Sequence, residues 1–186
     1  MMGMSIEEVI KTRRTVHIYE PSELDETLLD TFLEAGHFAP NHKLTWPWRF
    51  TVVGPVAREE IAKRAVELKS EGRTLPEAQQ IKIRDKILNP SALIVVSQVR
   101  TDNEFQAKED YAAVACAIQN ISLAAHAKGW GTKWSTGGIT RDSETYRVAS
   151  ISQEMEEIVG FLWVGKAKIT PNIKRPEFST VCRKVP

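Results

Sequence analysis

The chain has 186 residues, of which 42% are hydrophobic and 26% charged, which is enough apolar material for the core of one compact domain. Its net charge of +1 gives no global electrostatic case for nucleic acid or for a membrane surface. The longest clean apolar run, Ala92 to Val96, is far shorter than the roughly 20 residues a bilayer span needs, and the N-terminus has no signal-peptide apolar region, so a cytoplasmic location is expected.

In chain order, Ser5 with Glu8 three residues later forms a capping-box pattern. Ile6, Val9 and Ile10 follow at helical spacing, so a first short helix is expected to end near Arg13. "RRTVHIY" then leads into what reads as a strand. From Ser22 a second helix places Leu24, Leu28, Phe32 and Leu33 on one face, with Gly36 and Pro40 as its stop. "RFTVV" (49–53) is a β-branched run closed by Gly54 and Pro55, a strand, and a helix carrying Ile61, Ala65 and Leu68 comes next.

From Ser70 to Gln80 the chain turns polar, with Gly72 and Pro76 as breakers, which predicts a mobile loop before a short helix over "KIRDKILNP". "ALIVVSQV" is continuously apolar and of strand length, so it belongs in mid-sheet, buried on both faces. The longest helical pattern runs from about Glu104 to Lys128 and ends at Gly129; its centre has small or apolar residues all round, which marks a helix enclosed on most sides. "WGTKWST" alternates like a strand, a brief helix is expected within 141–150, and "EEIVGFLWVG" is a further strand. Helices separating a few strands describe an α+β or α/β sandwich. No repeat or linker divides the chain, so 1–186 reads as one domain. Its segment 166–186, with six basic residues against Glu177 alone, forms a basic C-terminal arm without helical or strand period.

The usual local signatures of chemistry are missing. His17, His37, His42 and His126 are scattered, and there is no H-E-x-x-H or C-x-x-C, so no metal site is expected. Cys116 and Cys182 support neither a disulfide framework nor a zinc site and read as reduced thiols. G-x-S-x-G, G-x-x-x-x-G-K-[ST] and G-x-G-x-x-G are all absent.

What remains is a set of residues at element boundaries: Arg13, Arg14 and Thr15 after the first helix, "APNHKLTWPW" before the first core strand, "WSTGG" after the central helix, and Lys174 and Arg175 in the arm. A planar guanidinium can bind two phosphate oxygens, each charge-assisted bond contributing on the order of 1.5 to 3 kcal/mol. Tryptophan and proline offer flat apolar faces to a ring, and threonine, serine, asparagine and backbone amides meet its polar edges. The set suits a cofactor with a phosphate, a polar chain and a flat heteroaromatic system. The plainer reading of Arg13 and Arg14 is a helix C-terminus complementing its dipole. Trp48 reads as a core anchor, and Tyr111 and Gln119 as packing or interface residues.

These stretches resemble the FMN-dependent nitroreductase family. "RRTVHIY" is similar to its R-R-S-V-R-x-F, "APNHKLTWPWRF" to its A-P-S-x-x-N-x-Q-P-W-x-F, and "EEIVGFLWVG" to its late glycine-bearing strand; Asn41-His42-Lys43 resembles a small single-domain bacterial subgroup with A-P-x-H-K here. The resemblance implies an α+β nitroreductase-like sandwich, a central sheet flanked by helices, in an intertwined homodimer with FMN at the interface. It implies that Arg13 and Arg14 hold the phosphate or ribityl chain with help from Thr15, and that Asn41 and His42 approach from the partner subunit. Trp134, Ser135, Thr136 and Gly137 would line the ring, and Lys174 and Arg175 would close over the phosphate. Two positions depart from the pattern. Leu44 and Trp46 stand where many members have Asn and Gln, so Trp46 would stack on or wall the pocket instead. His17 stands where an arginine or lysine is frequent, near the flavin's N1 and O2 side.

The implied activity is hydride transfer from NADH or NADPH to flavin N5 and onward, in ping-pong order, to an electron-poor small molecule such as a nitroaromatic or quinone, with no protein nucleophile needed. Two other classes stand beside it: a flavin-consuming or dehalogenating relative, and a non-enzymatic module that uses the basic arm to bind nucleic acid.

Overall fold

The computed structural model describes residues 3–186. The short helix α1 (Ile6–Thr12) opens with the expected capping box: the Glu8 amide donates to Ser5 Oγ at 3.3 Å, and the Ser5 amide donates to Glu8 Oε2 at 2.8 Å. There follow a two-residue strand β1 (Tyr19–Glu20), helix α2 (Glu26–His37), strand β2 (Trp48–Val52), helices α3 (Pro55–Ser70) and α4 (Glu77–Leu88), and strand β3 (Ala92–Val99). Helix α5 (Glu104–Ala127), strand β4 (Gly131–Ser135), helix α6 (Ser143–Val148) and strand β5 (Glu156–Ala167) complete the fold.

The strands form one antiparallel sheet. β5 lies at its centre, pairing with β3 from Ala92 opposite Val164 to Val99 opposite Glu156, and with β4 from Gly131 opposite Gly165 to Ser135 opposite Phe161. β2 extends the sheet beyond β3, and β1 meets the end of β5 at Ala167. The register of β3 against β5 shifts between Val96 and Ser97. An all-antiparallel sheet with helices on both faces settles the architecture as α+β.

The alternation of β3 explains why it reads as a continuous apolar run. Ile94 and Val96 point into a core shared with Phe32 of α2 and with Val114, Ile118 and Ile121 of α5. Leu93 and Val95 point into a second core with Ile61 and Ala65 of α3, Ile87 of α4, and Phe161 and Trp163 of β5. Burial of each such side chain contributes about 1.5–3 kcal/mol relative to leaving it exposed. Trp48 is a core anchor as expected: it is buried, and its Nε1 donates to His37 Nδ1 at 3.2 Å.

Two expectations change. The polar stretch 70–80 is not one loop: α3 continues to Ser70 and α4 begins at Glu77, because Pro76 with its fixed φ introduces the helix rather than breaking it. The end of α4 is held by Arg58, whose half-buried guanidinium donates to the carbonyls of Ile87 (2.7 Å), Leu88 (3.0 Å) and Pro90 (2.6 Å). Helix α5 is not enclosed on most sides by this chain. Val114, Ala117, Ile118 and Ile121 are buried, whereas Tyr111, Ala112, Cys116 and Gln119 remain exposed.

Candidate functional site

The double arginine divides into two different roles. Arg14 donates to the carbonyls of Lys11 (2.7 Å) and Arg13 (2.9 Å), so its guanidinium completes the end of α1, as a helix terminus asks. The Arg13 guanidinium makes no hydrogen bond or ion pair among the described residues, its backbone alone being bonded, through the amide to Val9 and the carbonyl to Arg14. Burial lowers its pKa, and the charges of Arg175 and Arg14 lower it further. A half-buried cation with two cationic neighbours and no carboxylate partner is electrostatically unfavourable by itself, and an anion beside it would relieve it.

The chain is led there by a local fit. Thr15 forms an isolated parallel bridge with Thr132 of β4, and the Val16 amide donates to the Thr132 carbonyl at 3.0 Å. Gly131 permits this approach, since a Cβ there would lie 2.4 Å from Val16 Cγ2. The bridge sets Arg13 and Thr15 beside Trp134 and against α5, around a cavity of about 240 Å³ whose other polar walls are Gln119, Ser122 and Thr132. Gln119, which reads from sequence as a packing or interface residue, lies four residues on from Ala115 and so on the cavity-facing side of α5.

His126 is a further neighbour that the sequence did not single out. The Thr12 hydroxyl donates to the Glu8 carbonyl at 2.6 Å, so at the 2.8 Å contact with His126 Nε2 it accepts, which fixes the Nε2–H tautomer. Burial lowers the His126 pKa first, then the charges of Arg13 and Arg14. A contact between residues 12 and 126 carries no local sequence signal.

The second predicted cluster lies elsewhere. Asn41, His42 and Trp46 belong to the loop between α2 and β2, which passes over a different side of α5. His42 Nδ1 is 2.7 Å from Glu109 Oε1, and Asn41 and His42 border a surface hollow with Ala112 and Cys116. Residues 109, 112, 113 and 116 and residues 115, 118, 119 and 122 occupy different faces of the helix, so within one chain Asn41 and His42 do not meet Arg13 or Trp134. Trp46 is 45% exposed, with its ring 5.9 Å from His37 and 6.0 Å from Trp48.

Trp134 and Ser135 close β4. The Trp134 indole is half-buried, its Nε1 has no acceptor among the described residues, and it lies across Gly160, where an added Cβ would stand 2.4 Å from Nε1. Tyr111 of α5 faces it at 6.5 Å between ring centroids. Thr136 is exposed, and the Gly137 carbonyl accepts from Thr140 Oγ1 at 2.8 Å. His17 is exposed and makes no hydrogen bond among the described residues. Lys174 and Arg175 lie in an exposed arm, with the charge of Arg175 felt at Arg13.

An antiparallel sheet between helical layers carries, beside β4, a half-buried arginine without a side-chain partner among the described residues and an indole lining the same cavity. The chain belongs to the Nitroreductase family, whose model matches residues 10–166. It is 29% identical over 174 residues, 91% of this chain and 90% of the relative, to Escherichia coli (strain K12) YdjA, provisionally named an NAD(P)H nitroreductase. It is similar to the crystal structure of a nitroreductase-like family protein from Bacillus cereus, with a TM-score of 0.83, 27% identity, and coverage of 100% of this chain and 98% of that one. A nitroreductase with bound FMN from Bacteroides fragilis NCTC 9343 shares the fold at a TM-score of 0.76 and 22% identity, covering 98% of this chain and all of that one. No helix among the described residues is long and apolar enough to cross a membrane.

Proposed function

We propose that the protein is an FMN-dependent oxidoreductase that takes electrons from NADH or NADPH and delivers them, in ping-pong order, to an electron-poor organic acceptor of nitroaromatic or quinone type. The observation that carries this reading is Arg13, half-buried beside Arg14 and Arg175 with no anionic partner. The fit of the remaining residues supports it. Thr15, Gln119, Ser122 and Thr132 offer hydrogen bonds to a polar chain, and Trp134 offers an indole wall. Family membership and the FMN held by the Bacteroides fragilis relative point the same way.

In this reading Arg13 and Arg175, with Lys174, hold the phosphate, and the charge-assisted bonds of each guanidinium supply most of the binding. Thr15 fixes the chain next to the phosphate. Trp134, Ser135, Thr136 and Gly137 form the edge along which a ring would lie. FMN, when bound, supplies the redox chemistry, taking a hydride at N5 and passing electrons on. The protein's part is to bind, orient and exclude water, so no nucleophile or dyad is required.

The arrangement also supports a homodimer with the site at its interface. A cavity of about 240 Å³ is below the roughly 300–1,000 Å³ of a complete small-molecule pocket, so one chain provides only part of the walls. In this reading a second copy would bring its Asn41 and His42 to the site and cover the exposed small residues of α5, and residues 1–186 would act as one domain with 166–186 as an embracing basic arm. The test is the visible spectrum of the purified protein and its response to cofactor. Flavin bands that bleach anaerobically on adding NADPH, and a rise in thermal stability with added FMN that Arg13→Ala abolishes, are expected. Failure of excess FMN to bind or to stabilise would end this reading.

A further inference from the structure

Trp134 walls the smaller cavity; two residues on, Thr136 walls a second and larger one of about 850 Å³. Tyr111 belongs to the larger cavity and faces Trp134, so the two rings stand between the spaces. The apolar part of the larger cavity's lining includes Ala107, Ile158 and Val159, and its volume lies in the range of small-molecule pockets.

The charged groups of this cavity are not equivalent. Arg100 is committed: its Nε donates to the carbonyls of Gln153 (2.8 Å) and Glu156 (3.2 Å), and its Nη1 is 3.6 Å from Glu157. Lys108 comes from α5 and Arg141 from the turn after Gly138, two separate elements of the wall, and neither side chain has a hydrogen bond or ion pair among the described residues. Against these two free cations stands one free carboxylate, Glu104, on the turn of α5 before Lys108. The balance of uncommitted charge is positive in a cavity also lined by apolar side chains and by Tyr111 and Tyr146.

We propose that this cavity binds a planar organic anion, its acid group held between Lys108 and Arg141 and its ring beside Tyr111 and Thr136. The identity of that anion as the electron acceptor rests on the flavin reading given above, through Thr136, which belongs to both the proposed ring edge and this cavity. Lys108 and Arg141 then determine specificity, selecting carboxylate-bearing aromatics over neutral ones of the same shape.

The test is calorimetric titration of the full chain with 4-nitrobenzoate and with the neutral 4-nitrobenzyl alcohol, alongside FMN binding followed by absorbance. The carboxylate is expected to bind about tenfold more tightly at low salt, the worth of one charge-assisted bond. Lys108→Met and Arg141→Met should each shrink that ratio several-fold, and Lys108→Arg should restore it. Both side chains are uncommitted, so these variants leave no buried partner charge behind, and thermal unfolding checks that they fold. Equal affinity for the two compounds in the wild type, or an unchanged ratio in the variants, overturns the proposal while leaving FMN binding intact. Charge-selective binding in a chain that never takes up FMN supports the anion site and overturns the flavin reading. Titration with adenosine 2′-phosphate covers the other source of an acid group: loss of its binding in the variants, with 4-nitrobenzoate unaffected, would assign the cations to a dinucleotide donor and overturn the proposal.

Discussion

The carboxylate of Asp110, 3% exposed on α5, accepts a 2.5 Å hydrogen bond from the hydroxyl of Thr45, and through it holds a strained loop in place. Thr45 Oγ1 in turn accepts from Asn41 Nδ2 at 3.0 Å, and Asn41 Oδ1 accepts from the Trp46 amide at 2.7 Å. Between them the backbone passes through left-handed φ at Lys43 (61°), Leu44 (53°) and Trp46 (47°), none of them glycine. Such residues cost on the order of 1–3 kcal/mol each and persist only where the surroundings over-determine them. Glu109, the neighbour of Asp110, fixes the same loop through His42. Two successive carboxylates of α5 therefore set the shape of the segment proposed to reach a partner's cofactor.

Thr45→Val keeps the shape of the side chain and removes its donor. It is expected to cost about 1–3 kcal/mol, because the buried Asp110 carboxylate loses its shortest hydrogen bond. Amide exchange at residues 43–46 should quicken more than the global stability change requires. Urea unfolding and exchange rates equal to wild type would remove the network from its holding role.

Gly160 is required by the Trp134 indole. In Gly160→Ala the methyl carbon would stand 2.4 Å from Trp134 Nε1 and 2.9 Å from the Ser135 carbonyl oxygen, and the second obstacle is backbone on the paired strand β4. Overpacking of this kind costs roughly 1–3 kcal/mol. The variant is expected to unfold earlier in urea, with an altered near-ultraviolet circular dichroism from the displaced indole; an unchanged tryptophan signal would show that β4 yields freely.

Elements with a strong local pattern were legible from sequence: the capping box at Ser5, the two-faced strand "ALIVVSQV", the anchor Trp48 and the glycine-bearing strand around Gly160. Position along the chain does not reveal how elements meet. Arg13 and Arg14 look alike in sequence, yet the first lines a cavity and the second closes a helix, because α1 ends at Thr12 and only one guanidinium is left facing α5. Gln119 and His126 became site neighbours through the bridge of Thr15 to Thr132, a pairing across 117 residues that no local period encodes. The absence of an apolar stripe on α5 does not say what covers it, since part of its surface is exposed rather than enclosed by its own chain.

His126 should couple anion binding to protons. Its folded pKa lies below the ordinary value, through burial and then through Arg13 and Arg14, so protonation is disfavoured in the native state. The sign follows: stability is fully present above the unfolded histidine pKa of about 6.5 and falls as pH drops through it toward the lower folded value. An anion beside Arg13 offsets the two arginine charges and eases protonation, so anion affinity should rise as pH falls across that window. Sulfate, dianionic throughout, avoids titration of the ligand itself. Its stabilisation of the protein against heat is expected to be larger at pH 5.5 than at pH 7.5, with the difference removed in His126→Gln. A sulfate effect independent of pH in the wild type would separate His126 from the cation cluster.

The C-terminal arm exposes Ile173, Phe178 (75%), Val181 (81%) and Val185, apolar side chains spread over a segment that holds no helix or strand beyond one short turn at Phe178–Thr180. Isolated in water, such residues gain nothing from order, and each would contribute about 1.5–3 kcal/mol if covered by a second subunit. Arg175 at the same time adds positive charge at Arg13. Deleting residues 171–186 therefore removes no residue of either core, and the truncated chain is expected to keep its far-ultraviolet spectrum and a cooperative unfolding transition. It should lose association, running as a monomer in sedimentation, and lose FMN, with affinity falling by at least about tenfold for the missing charge-assisted bonds of Lys174 and Arg175. A truncated chain that remains dimeric and retains FMN would show that the arm neither embraces a partner nor holds the phosphate.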